Sequence, residues 1–340
     1  MHDHDYLYDV DTVRIAIVLG VLTTTLFYER LQITTGGAIV PGYLALFITR
    51  PLYIVSTLVT SYLTYLIVNK VIAKRYIVYG RRKYEIEILT ALCIVTFWFG
   101  LAHLTLGISH LLTALVGIGF VLPGVIAHDV FRQGPRKTYF AILANIVIIA
   151  LIIYVFSAFQ DIAPWHGERR ATDLGSGPFA FSLDLLLPAV FVSVLAGMAI
   201  FHYLGLRTGG FVAGAYLGLL LLRPLDLLFT VVVSLGAFLL VTRVLMHHML
   251  IFGRRKLGMM ILVAALLAWA GEILLREGSG GRYVPWEGFH VITLMIPALI
   301  ANDAQRQGMP RTLWGSALTA VTVFASMNLL QAGLIAAGVL

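Results

Sequence analysis

Cationic side chains are scarce in this chain, and where they occur they cluster. Arg81, Arg82 and Lys83 stand together in YGRRK (79–83), and Arg254, Arg255 and Lys256 stand together in FGRRK (252–256). A second motif, Arg-Gln-Gly, places Arg132 and Gln133 in one copy and Arg306 and Gln307 in the other. Guanidinium groups present planar forks of donors that match a carboxylate or a phosphate. The chemistry open to such sets is recognition of an anion or of a partner protein. Simpler roles also fit. The GRRK sets anchor a cytoplasmic loop, Arg at a helix C-terminus meets the favourable end of the dipole, and Gly beyond it caps the helix. Those roles leave the glutamines unexplained. Asp129 and Asp303 lie one turn before Arg132 and Arg306, where a carboxylate–guanidinium pair is expected. No Walker loop, nucleophile elbow, HExxH or zinc spacing is found, so the chain carries no catalytic constellation. The adjacent His247 and His248 diverge on a helix and do not suit a metal.

The elements that must hold these residues occur twice. GGAIVPGYLALFITRP (36–51) returns as GGFVAGAYLGLLLLRP (209–224), and YGRRK returns as FGRRK, both at a spacing of 173 residues. LPGVIAHDVFRQG (122–134) returns as IPALIANDAQRQG (296–308) at a spacing of 174. A tandem duplication of nearly the whole chain explains this. The units read as 1–159 and 183–340, with a polar, Gly- and Pro-rich linker at 160–182.

Composition sets the environment. Hydrophobic residues are 59% and charged residues 12%, which fits an integral membrane protein and not a soluble chain. The acidic start, MHDHDYLYDVD, lacks the basic region of a cleaved signal. The single cysteine excludes an intrachain disulfide and a thiolate cluster. The net charge of +7 reads as membrane topology, and no nucleic-acid-binding tract is present.

Each unit offers six apolar segments: 10–27, 33–48, 52–71, 86–106, 111–127 and 138–159, then 183–204, 209–222, 225–245, 257–275, 289–301 and 313–340. The expected fold is all-α, with about twelve membrane spans in two units of six. With the N-terminus outside, the basic residues outside the first segment, which holds Arg14, divide seventeen inside to six outside, and both GRRK motifs are cytoplasmic. Each unit also suggests a nested, inverted three-plus-three repeat. Pro41-Gly42 precedes Arg50, and Pro123-Gly124 precedes Arg132, in each case with nine residues from Pro to Arg. Pro41, Gly42 and Tyr43 should break or kink the second segment, as should Pro123, Gly124 and Pro297 the fifth. Freed backbone at membrane depth needs partners in protein or a wet cavity, the signature of a conduit or transport site. Glu29, beside Arg30 at the end of the first segment, reads as a paired interfacial charge. Asp184, Asp226 and Glu272 lie at helix ends and read as interfacial too.

Glu29, Gly36-Gly37, Val40-Pro41-Gly42-Tyr43-Leu44, Pro51, Ser61-Tyr62-Leu63-Thr64-Tyr65, the GRRK motif, Leu122-Pro123-Gly124 and Arg132-Gln133-Gly134 resemble the CapC or PgsC family, the membrane component of poly-γ-glutamate capsule synthases. The second unit resembles it through Arg223-Pro224, its GRRK motif, Pro297, Ala301-Asn302 and Arg306-Gln307-Gly308, and departs from it at Ala213-Gly214-Ala215-Tyr216 and Ala298. The resemblance implies two partners. One is a cytoplasmic, Mur-ligase-like, ATP-dependent ligase of the CapB or PgsB type, and the other is an extracytoplasmic protein of the CapA or PgsA type. ATP and Mg would belong to the ligase, with no cofactor in this chain. The chain would then be a non-catalytic platform and an export path for a polyanionic product. It would sit in the cytoplasmic membrane of a bacterium or archaeon; the fusion of two copies suggests that single-unit relatives pair with themselves, and the chain itself is a candidate homo-oligomer. The residue-level alternative is an independent secondary transporter of small organic anions.

Overall fold

The computed structural model describes residues 10–77, 80–105, 117–162, 178–251, 253–286 and 289–336. Most of the expected linker, the motif aromatics Tyr79 and Phe252, and the side chain of Arg254 lie outside the described residues. The chain divides into two compact units, Met1–Gly167 and Glu168–Leu340. Among the described residues all regular structure is helical.

The first unit contains α1 (Val10–Leu31), α2 (Val40–Ala45), α3 (Pro51–Leu66), α4 (Gly80–Thr105), α5 (Leu122–Gln133) and α6 (Pro135–Ile162). The second contains α7 (Leu186–Leu204), α8 (Ala213–Leu219), α9 (Pro224–Leu239), α10 (Arg254–Gly278), α11 (His290–Gln307) and α12 (Met309–Ala336). Among the described residues, seven continuous runs are long and apolar enough to cross a bilayer: Thr12–Leu31, Pro51–Arg75, Pro135–Val155, Leu183–Leu204, Pro224–His248, Arg255–Gly278 and Met309–Ala336. The protein is an all-α membrane protein. Of the other expected segments, 86–106 and 289–301 fall in α4 and α11, 33–48 and 209–222 form two composite segments, and 111–127 lies partly outside the described residues.

The composite segments take the place of the expected second helix of each unit. In unit 1 the chain leaves α1 and runs non-helically through 32–39, with Gly36 at φ 77° and Gly37 at φ 123°. Only then does Pro41, in the first turn, start the six-residue α2. The proline starts a helix here, so of the two expected outcomes the segment shows the break and not the kink. The segment still traverses its unit. Thr34 lies beside Gln133 at the end of α5, while a Cβ on Gly42 would meet the Ala16 carbonyl at 2.5 Å. Ala16 and Leu31 are separated along α1 by about 22 Å of helix rise. All six α2 residues are buried. Unit 2 repeats the arrangement without the proline, and all seven residues of α8 are buried.

The expected nested repeat appears in the packing of unit 1. The Gly of each Pro-Gly pair touches the first helix of its three-element group. Gly42 abuts the backbone of α1 at Ala16, Ile17 and Gly20, and Gly124 abuts α4 at Glu87 and Ile88. Helix α2 lies on α1 and α6, while α5 lies on α4 and α3. Exchanging α1 with α4 and α3 with α6 therefore maps one group on the other. The composite segment begins where α5 ends, so the two run in opposite directions. In unit 2 the corresponding proline, Pro297, sits inside the longer α11.

A feature not expected from sequence recurs in both units. Helix α3 continues as a π-helix, Ile67–Ile72, and α9 as a π-helix, Leu240–Leu245, offset by the repeat spacing. Widening a helix in this way frees carbonyls, and a polar side chain inside each bulge takes one up. Asn69 Nδ2 donates to the Tyr65 carbonyl at 2.9 Å, and the Thr242 hydroxyl donates to the Phe238 carbonyl.

Candidate functional site

The GRRK motif, the Arg-Gln-Gly motif and the π-helix converge at one end of unit 1. Lys83 is almost fully buried. Its Nζ donates to Asn69 Oδ1 at 2.7 Å and sits over the Phe131 ring, 2.7 Å from the centroid. Arg81 Nε donates to Glu85 Oε1 at 2.7 Å, one turn on. In unit 2, Lys256 Nζ donates to Gln305 Oε1 at 2.6 Å. Gln305 occupies the place of Phe131, and Thr242 that of Asn69. Each unit has found a different acceptor for the same buried ammonium. Arg82 and Arg132 in unit 1, and Arg255 and Arg306 in unit 2, are exposed.

The glutamines are clamps. Gln133 Oε1 accepts from the Thr34 N–H at 2.9 Å, and its Nε2 donates to the Thr34 carbonyl and to the Thr138 hydroxyl. Gln307 does the same with Arg207: N–H to Oε1 at 2.9 Å, Nε2 to carbonyl at 2.8 Å, and Nε2 to the Thr312 hydroxyl at 2.9 Å. A side-chain amide has one acceptor and two donors, and here it mimics a strand partner for a non-helical peptide. That peptide would otherwise leave an N–H and a carbonyl unsatisfied inside the unit.

The carboxylates are arranged differently from expectation. Asp303 pairs with Arg207, at 3.6 Å, and not with Arg306 one turn away. The guanidinium of Arg207 in the composite segment reaches Asp303, while Arg306 is exposed in the last turn of α11. Asp129 is buried. Asp226 lies at a helix end, as expected, and is buried in the first turn of α9. Its Oδ1 accepts from the Tyr283 hydroxyl at 2.7 Å and the Trp286 N–H at 3.2 Å, and Arg223 lies 3.8 Å away. Burial, followed by the hydrogen bond to Asp226, pushes the Tyr283 phenol far above its usual range, so it remains a donor. Glu29 is exposed at the end of α1.

Sequence reasoning missed one pair. Glu87, one turn beyond Lys83, is fully buried, and its Oε2 lies 2.7 Å from His128 Nδ1. The Tyr84 ring stands edge-on to that imidazole. The i,i+4 relation of Lys83 and Glu87 was the available signal. Unit 2 has Met260 and Asn302 at these places. The motif ends of the two units therefore differ in their carboxylates. In unit 1, Arg81, Arg82, Lys83 and Arg132 meet Glu85, Glu87 and Asp129. In unit 2, among the described side chains, Arg207, Arg255, Lys256 and Arg306 stand near one carboxylate, Asp303. Such a set can hold an anion.

The model of the family described as "Capsule biosynthesis CapC" matches this chain twice, over residues 19–139 and 192–313. The PGA biosynthesis protein CapC of Bacillus subtilis (strain 168) is 36% identical over 126 residues, covering 37% of this chain and 82% of the relative. The capsule biosynthesis protein CapC of Bacillus anthracis is 38% identical over 120 residues, covering 35% of this chain and 78% of the relative. No solved structure matches. One unit's worth of chain thus accounts for most of each relative, and the matched segments contain both composite segments, both GRRK motifs and both Arg-Gln-Gly motifs, so the chain belongs to the capsule biosynthesis CapC family as two tandem family units.

Proposed function

We propose that this chain is the membrane component of a poly-γ-glutamate synthase, with a platform role for a cytoplasmic ATP-dependent ligase and an export role for the polymer. A part in capsule biosynthesis follows from the family, and the finer assignment is our reading. The observation that carries it is the exposed arginine pair at the motif end of each unit, Arg82 with Arg132 and Arg255 with Arg306. The neighbouring cations Lys83, Arg81 and Lys256 are tied to the chain's own acceptors, which holds the outer arginines at fixed stations. A polyanion leaving a ligase meets a guanidinium fork at each station. Placing these ends in the cytoplasm, where a CapB-type ligase would dock and a CapA-type protein would act on the opposite face, agrees with the excess of basic residues there.

The test is polymer output in cells that carry the ligase, with and without this chain, scored by hydrolysis and amino-acid analysis. Glutamate-rich polymer should form only with the chain present. The variant R82Q/R132Q/R255Q/R306Q should insert normally and lower output at least tenfold. Equal output without the chain would remove the assignment, and full output from the variant would remove the role of the arginines. A second reading, an independent carrier of small organic anions, draws on the composite segments, which resemble the discontinuous helices of transporters. It requires uptake of a dicarboxylate into liposomes by the purified chain alone under an imposed ion gradient.

A further inference from the structure

Unit 1 has an apolar groove of about 560 Å³ between α3 with its π-helix and α4. Its walls are two stripes with helical spacing. On one side lie Leu63 and Ile67, and on the other Ile86, Leu89, Cys93 and Phe97. Both stripes end in cations at the motif end. Lys70 and Lys74 lie on and just beyond the π-helical continuation of the first wall, and Arg82 precedes Ile86 by four, one turn of α4. All three cations are exposed. From Ile86 to Phe97 the groove runs about 17 Å along α4, close to the depth of one leaflet of a ~30 Å hydrocarbon core.

Unit 2 supplies an internal comparison. It keeps cations at the corresponding places, Arg243 for Lys70 and Arg255 for Arg82, with His247 for Lys74. The groove walls are not kept. Gly236, Ala270 and Gly271 replace Leu63, Phe97 and Trp98. There the helices close together, because a Cβ on Gly236 would come within 3.0 Å of Leu267 and one on Gly271 within 3.0 Å of Phe229. Charge is common to both units, but charge joined to an open apolar groove belongs to unit 1.

We propose that this groove is a binding site for an anionic phospholipid, with an acyl chain between α3 and α4 and the phosphate on Lys70, Lys74 and Arg82. The groove lining is apolar enough to take a hydrocarbon tail and too open to form a protein core. The three cations lie where a headgroup must lie if the tail fills the groove. A zwitterionic lipid fits the groove but not the charge, and a free anion fits the charge but not the groove. This inference does not depend on the proposed synthase role.

The test uses the full chain in phosphatidylcholine bilayers doped with phosphatidylglycerol carrying a photoactivatable group in its tail. Adducts should map to the 63–67 and 86–97 peptides of unit 1 and not to the 236–240 and 259–270 peptides of unit 2. Excess phosphatidylglycerol should displace them, and excess phosphatidylcholine should not. The variant K70Q/K74Q/R82Q should bind about a hundredfold more weakly, while K70R/K74R/R82K, which keeps the charge, should bind as the parent does. Equal labelling of both units, displacement by phosphatidylcholine, or no response to K70Q/K74Q/R82Q would overturn the site. So would a cross-link from Cys93 to another protein in place of the lipid adduct, which would assign the groove to a partner helix.

Discussion

At the residue scale, the recurring glutamine shows how a motif can be visible before its job is. Gln133 and Gln307 stand out in the sequence because Arg and Gly have ordinary uses at a helix end and Gln does not. Their partners cannot be read there, since the groups they hold are the N–H and carbonyl of Thr34 and Arg207, which any residue but proline possesses. Replacing either glutamine with Ala strands one backbone donor and one acceptor in a low-dielectric interior, at about 1–3 kcal/mol each. Q133A and Q307A should each lower the thermal unfolding midpoint in detergent. Glu in place of Gln should be intermediate, because it keeps the acceptor and loses the donor. An unchanged midpoint for Q307A would mean the clamp is incidental. Glu87 and His128 illustrate a harder case. They are forty-one residues apart and meet only because Gly124 lets α5 approach the α4 backbone.

At the element scale, the second segment of each unit is recognisable as broken from its residues, but its construction is not. Proline and glycine suggest a broken or kinked helix. The structure divides the segment into a non-helical run and a short buried helix, because consecutive glycines with positive φ favour non-helical backbone and the Gln clamp then stabilises it. The close approach at Gly42 leaves no room for a side chain. G42V should therefore displace α2 from α1 and abolish accumulation of the protein in the membrane, whereas G100V in α4, where a Cβ would meet nothing, should accumulate normally. Membrane-fraction immunoblots distinguish the two. The π-helices are invisible in the sequence for a simple reason. One extra residue per turn alters the hydrogen-bond ladder without altering composition or hydrophobic period enough to notice.

At the scale of the whole molecule, duplication is the most legible property, and divergence between the copies carries most of what it leaves open. The motif end of unit 1 surrounds its cations with three carboxylates, and that of unit 2 with one. If the arginines hold a polyanion, unit 2 should bear more of the load. R255Q/R306Q should then weaken binding of poly-γ-glutamate to the purified chain several-fold more than R82Q/R132Q, and raising salt should narrow the difference. Equal losses in the two variants would show that the carboxylates of unit 1 do not screen its arginines.

The paired π-helices also bear on ancestry. A bulge of this kind is an insertion, and an insertion acquired in one copy alone would shift the repeat spacing on either side of it. The spacing is 173 residues before the bulge, at the two glycine pairs, and 173 after it, at the two GRRK motifs. The bulge was therefore present in the single-unit ancestor when its gene doubled, and both descendants have inherited it while their buried ammonium groups drifted to different acceptors. Single-unit relatives should carry the same π-helix shortly before their own GRRK motif.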